Sequence, residues 1–320
     1  MAKFDLSAYK KKKQIADTPK KKEKHVILDK CMHSVLGMPG IPLGHITQIY
    51  GLSDTGKTSL LFHAAARAQK QGVLPVVIVT EGKVDWNRAR AMGFQYTGDL
   101  SEEEQEEDFC LVEEGVETLE QGFEFILGIL NDVEMGNLPY DVLIFWDSIG
   151  NTVSENEIEI KKDGTIKKKD GMMVAARAIS SNMRNISRKV NNSNKVSHPN
   201  YAGLVFINHA YTEPPAFPGG PSTVTPYGGK KIWYSSSLVL KTSRRQKLSA
   251  TKDGVKMGFG IVSKIQVDKN HLTNTAHSGE FVITADRIIP NEKSAIDSYK
   301  KETKDQWGVI LDENDEKLTS

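Results

Sequence analysis

Apolar residues follow two rhythms along this chain. Short continuous runs at His45–Tyr50, Leu74–Thr80, Asp141–Trp146 and Gly203–Asn208 read as strands buried on both faces. Between them, Thr58–Gln71, Trp86–Met92, Gly115–Asn131 and Met172–Val190 carry apolar positions on one side at helical spacing. Continuous runs alternating with helices predict an α/β fold, a mostly parallel central sheet with helices on both faces. From Ile232 onward strand follows strand, at Ser237–Leu240, Gly260–Val267 and Glu280–Thr284. These are expected as antiparallel additions at one sheet edge. The periodic segment His25–Leu36 predicts a helix, and Gly37–Gly44 a turn-rich connection. The expected organisation is a flexible basic arm over 1–24, a helix and turn over 25–44, a core over 45–289 and a short polar tail over 290–320.

Composition narrows the class without naming it. Of 320 residues 38% are hydrophobic and 26% charged, an ordinary globular balance that excludes fibrous and wholly disordered chains. No apolar run approaches the roughly 20 residues of a membrane helix, and no apolar signal core follows the lysine-rich start. Two cysteines, Cys31 and Cys110, are too few for a disulfide framework or a four-cysteine zinc site. A reducing cytoplasm is the expected location, with no membrane partner. The net charge of +1 conceals segregation: nine lysines against three acids in residues 1–24, an acidic block over 101–108, and a cluster of Lys161, Lys162, Lys167, Lys168 and Lys169. Each run alone reads as solvated surface.

The sharpest signal is Gly51-Leu52-Ser53-Asp54-Thr55-Gly56-Lys57-Thr58, which satisfies G-x-x-x-x-G-K-[ST]. Glycines let such a loop wrap a polyphosphate with its N–H groups turned inward, and the next helix offers its positive end. Lys57 then reaches the outer phosphates, and the Thr58 hydroxyl ligates Mg²⁺. The loop sits between a predicted strand and a predicted helix, as this mechanism demands. Residues Gly51 to Ser59 are therefore read as the binding element for a nucleoside triphosphate and Mg²⁺. Two strand-end carboxylates extend the pattern. Asp147 closes an apolar strand and is expected to ligate Mg²⁺ with Thr58, while Glu81 closes another and is expected to polarise the attacking water.

Taken in order, these segments resemble the ATPase core of RecA-type DNA recombinases. Gly40–Gly51 resembles the entry to that core, the Glu81 segment ending Ala89–Gly93 its catalytic-glutamate region, and Gly228–Tyr234 the element after its second DNA-binding loop. Phe145–Asn151 resembles its Walker B strand, closest to the version in T4-like phage recombinases of the UvsX type. Val205–His209 resembles the strand whose end senses the γ-phosphate, with His209 where bacterial RecA has glutamine. The resemblance spans roughly residues 35 to 285.

It implies an ATP-dependent recombination and strand-exchange protein that forms filaments on single-stranded DNA and hydrolyses ATP when DNA is bound. Glu81, Lys57 and Lys269 would be its catalytic residues. The resemblance further implies that Lys269 and His271 reach a neighbouring subunit's ATP, His271 standing where the bacterial protein has lysine. Asp85 would contact the adenine edge, and Arg88 replaces an aromatic that would stack on the base. Two DNA-gripping loops would fall at about 155–171, with the five-lysine cluster, and 211–227, with Tyr211, Phe217 and Tyr227 facing bases. The implied partners are single-stranded DNA, homologous duplex DNA, further copies of the chain, a single-strand binding protein and a loader. A hexameric helicase motor and a non-catalytic ATP-binding mediator share the same core and stay open at this point.

Overall fold

The computed structural model describes residues 19–303 apart from 83, 161–165, 169–170, 215–216, 218–219, 221, 229, 253–254 and 274–276. Its centre is a ten-stranded sheet that contains the seven predicted runs and three short strands that the pattern does not mark. Strands β1 (His25–Ile27) and β2 (Gly40–Pro42) flank helix α1 (Lys30–Leu36) and form a small antiparallel pair of their own. Then come β3 (Ile46–Gly51), α2 (Lys57–Lys70), β4 (Val73–Val79), α3 (Trp86–Ala91), β5 (Leu111–Glu113), α4 (Leu119–Met135) and β6 (Asp141–Asp147). A small hairpin of β7 (Ile158–Ile160) and β8 (Ile166–Lys168) precedes α5 (Gly171–Asn192). After β9 (Ala202–Glu213), β10 (Thr223–Pro226) and α6 (Lys230–Ser235), the chain closes with β11 (Leu238–Lys252), β12 (Val255–Asn270), β13 (Ser278–Thr284), β14 (Ile288–Pro290) and α7 (Lys293–Glu302).

The order across the sheet is β14-β13-β12-β11-β3-β9-β6-β4-β5, with β10 paired to β9. From β11 to β5 every neighbouring pair is parallel, and β12, β13 and β14 add antiparallel at one side, as the hydrophobic pattern predicts. Parallel strands need cover on both faces, and two apolar layers supply it. One face packs against α1 and α2 through Leu36, Leu61, Phe62 and Ala65. The other packs against α4 and α5, whose Phe123, Ile126 and Leu130, and Ile179, Met183, Ile186 and Val190, recur at three- and four-residue steps. None of the helices among the described residues is long and apolar enough to cross a membrane.

Four expectations change. The His25–Leu36 segment is a strand followed by a helix, because Val26 pairs with Ile41 and only Lys30 onward turns helical. Residues 1–18 of the basic arm lie outside the described residues, but its last six are docked. Lys21 N–H donates to Asn194 O at 2.7 Å, the Lys21 ammonium lies 4.1 Å from the Tyr201 ring centroid, and Lys24 pairs with Asp141. Helix α4 begins at Leu119 rather than Gly115, since Thr118 and Gln121 form a reciprocal capping box. The tail expected from 290 carries helix α7, anchored through the buried Tyr299; residues 304–320 lie outside the described set.

The α4 face is tightest at Gly122, where an added Cβ would lie 2.4 Å from the ring of the fully buried Trp146. Gly122→Ala gains about 1 kcal/mol of helix propensity but overpacks by about 1–3 kcal/mol. We expect a lower midpoint in urea unfolding; a higher one would contradict this packing.

Candidate nucleotide site

The loop between β3 and α2 is held from several sides. Gly51 leaves room for Thr242, whose hydroxyl an added Cβ would meet at 2.3 Å. Gly56, at φ 92°, lies where a side chain would be both strained and pressed on Ile283. Asp54 also takes a left-handed conformation, φ 57°, one that aspartate tolerates better than most residues. The Thr55 hydroxyl lies 2.8 Å from that of Thr242, and Ser263 donates to Thr55 O at 2.8 Å. Strands β11 and β12 therefore brace the loop. Lys57 is buried and donates to Gly51 O at 3.1 Å and Leu52 O at 2.9 Å, and burial pulls its ammonium below the usual range. A buried cation at the opening of a helix is a natural partner for an anion.

Register brings the carboxylates to the same edge. Strands β4 and β6 run parallel, with Val79 opposite Asp147, so Glu81 and Asp147 leave the sheet side by side. Asp147 is 6% exposed and accepts the Thr58 hydroxyl at 2.7 Å. Burial pushes its carboxyl up, and the Thr58 bond opposes that shift. The peptide bond to Ser148 is cis. Glu81 is drawn the other way, down to about 2, first by the hydrogen bond from His209. His209 Nε2 lies 2.6 Å from Glu81 Oε1, Asn151 Nδ2 donates to the same oxygen at 3.0 Å, and the Ser148 hydroxyl donates to it as well.

This donor set suits Mg²⁺. Thr58 and Asp147 offer two hard oxygens side by side, and no cluster of three or more His, Cys, Asp or Glu side chains capable of holding a metal occurs among the described residues. Magnesium takes few protein ligands and keeps waters. A cavity of about 1220 Å³ runs along the loop, lined by Ser53–Ser59, Glu81, Arg88 and His209, and across from them by Arg244, Lys247, Lys256, Asp286, Tyr299 and Thr303.

Several expected residues lie elsewhere. Asp85 does not line the cavity; its carboxylate accepts the Arg88 N–H at 2.9 Å and caps α3. Arg88 does line it, with its guanidinium 3.4 Å from Thr284 O. Within its own chain Lys269 is set apart from the loop: Val239 pairs with both Lys269 and Gln48, so Lys269 lies on the far side of β11, level with Gln48 of β3. It is 7% exposed, donates to Trp233 O at 2.9 Å and Tyr234 O at 3.2 Å, and sits 4.6 Å from the Trp233 ring centroid. His271 is exposed beyond it.

The two expected loops are largely hairpins. Lys167 and Lys168 belong to β8, whereas Lys161, Lys162 and Lys169 lie outside the described residues. Tyr211 continues β9 and its ring meets that of Tyr227 at 5.0 Å, while Phe217 is 63% exposed at the far end. Sequence reasoning missed Ser148 and Asn151, although both lie inside the Walker B-like stretch. Arg244 and Lys247 of β11 and Lys256 of β12 also line the cavity and carry no motif to mark them.

Comparison with known proteins agrees with this geometry. The sequence matches the RecA N-terminal domain family over residues 17–289. It is 28% identical over 272 residues to the protein RecA of Ureaplasma parvum, covering 84% of this chain and 70% of that one. With the protein RecA of Clostridium botulinum it shares 28% over 270 residues, 83% of this chain and 65% of the other. The Chlorobaculum tepidum protein shares 29% over 249 residues, 78% and 61%. The matches leave about a third of each relative's length uncovered. From its phosphate loop to its antiparallel edge, the chain belongs to the RecA family.

Proposed function

We propose that this chain is an ATP-dependent strand-exchange protein of the UvsX-like phage type, assembling into filaments on single-stranded DNA and hydrolysing ATP when DNA is bound. The observation that carries this reading is the bond from His209, at the root of the β9–β10 hairpin, to Glu81 beside the phosphate loop. It joins the element that would face DNA to the group that would act on water. Homologous duplex DNA, a single-strand binding protein and a loader are the further partners, and the cytoplasm of the host cell is the location.

In this reading the loop N–H groups and the start of α2 cradle the triphosphate, and Lys57 leaves the Gly51 and Leu52 carbonyls for the outer phosphates. Thr58 and Asp147 would hold Mg²⁺, which would neutralise charge on the phosphates. Glu81 orients the attacking water and takes up its proton. His209 turns from Glu81 to the γ-phosphate. A neighbouring copy contributes Lys269, released from the Trp233 and Tyr234 carbonyls, and His271. Arg88 stacks on the base. The cationic β7–β8 hairpin neutralises phosphates of the strand, and Tyr211, Phe217 and Tyr227 contact its bases.

Two outcomes are expected. Glu81→Gln should lower DNA-stimulated ATP turnover by at least about 100-fold while a fluorescent ATP analogue still binds; undiminished turnover would remove Glu81 as the base. Affinity for a single-stranded oligonucleotide, measured by anisotropy, should fall roughly a hundredfold between about 50 and 200 mM salt if about five phosphates are neutralised. Salt-insensitive binding would remove the lysine hairpin from the interface.

A further inference from the structure

The three donors on Glu81 come from two different places in the chain, and those places are the roots of the two hairpins. Ser148 and Asn151 bracket the single turn Ile149–Asn151 that leads from β6 toward the β7–β8 hairpin. His209 lies on β9, one residue before Ala210 begins the pairing with β10. The roots are also packed on each other. An added Cβ on Gly150 would lie 2.3 Å from Asn208 Oδ1 and 3.1 Å from Tyr227 Cβ. Asn208 Nδ2 donates to Tyr227 O at 2.7 Å, and Tyr227 N–H donates to His209 O at 3.0 Å. A shift of either hairpin therefore strains the turn that carries Asn151.

All three bonds end on one oxygen, Oε1. Donors on an ionised carboxylate stabilise its charge and weaken it as a base toward water. His209 Nε2 serves one partner at a time, so a bond to Glu81 and a contact with a phosphate exclude each other. A phosphate could draw His209 away, yet Ser148 and Asn151 would remain, and they move only with the turn.

We propose that Asn151 and Ser148 form a latch on Glu81, so that nucleotide releases His209, a polynucleotide on the hairpins releases the turn, and turnover needs both. This rests on the ATPase reading above and assigns its regulation to Asn151 as a positioning residue. The latch makes hydrolysis wait for DNA: the ligand shifts the turn only because it contacts the shifted hairpins better.

The test compares the wild type with Asn151→Ala and with the near-isosteric, uncharged Asn151→Leu, which removes the donor without opening space. Steady-state ATP turnover is measured with and without single-stranded DNA. Both variants should raise the DNA-independent kcat, roughly tenfold for one lost charged hydrogen bond, with KM for ATP unchanged and the stimulation factor reduced. A DNA-independent kcat at or below the wild-type value in both would overturn the latch. Hydrogen exchange over 148–152, which needs no turnover, should quicken in the wild type only when DNA and a slowly hydrolysed ATP analogue are present together. Unchanged exchange would also overturn it. If the wild type shows no DNA-stimulated turnover, the ATPase reading fails, and exchange alone decides the latch.

Discussion

Two carboxylates leave the sheet at the ends of neighbouring parallel strands, and each is tolerable there only because of the donors that face it. Asp147 is buried and keeps a hydroxyl partner in Thr58; Glu81, half-buried, gathers three donors on one oxygen. Their surroundings push the two groups apart, Asp147 toward the protonated form and Glu81 firmly toward the ionised one. The donors that hold Glu81 ionised also weaken it as a base, while burial leaves the Asp147 charge in want of a cation.

The fold exists around that edge. Strand β3 delivers the phosphate loop, β4 and β6 deliver the carboxylates, and β9 delivers His209, all from the same end of one parallel sheet. Asp54 pairs loosely with Arg244 at 3.7 Å, so the β11–β12 hairpin leans over the loop as well as bracing it. Lys269 marks the opposite end of the sheet, held by carbonyls at the end of α6.

Much of this could be read from the chain alone, for physical reasons. Buried parallel strands must be apolar throughout, so β3, β4, β6 and the start of β9 stand out, and a loop that wraps phosphates has few alternatives to Gly51–Thr58. What could not be read depends on distant partners. Strand β5 is three residues long with Leu111 partly exposed, and α7 is polar around the single anchor Tyr299. Asp85 fits a base-contacting role by position, but whether an aspartate caps a helix or lines a cavity depends on where its helix begins. Ser148 and Asn151 were in view, yet nothing local says that their side chains meet a glutamate from another strand. The Thr118–Gln121 capping box and Gly136 at φ 78° were legible signals for α4; a looser apolar pattern that starts earlier masked them.

The claim beneath all of this is that the phosphate loop of one copy and Lys269 of the next close on the same nucleotide. A cryo-EM map of the chain with single-stranded DNA and a slowly hydrolysed ATP analogue tests it directly. The account predicts an open helical filament with density for the analogue between Lys57 and a neighbour's Lys269, and with His209 turned from Glu81. A closed ring, or a nucleotide enclosed by a single copy with every Lys269 still on Trp233, would contradict it.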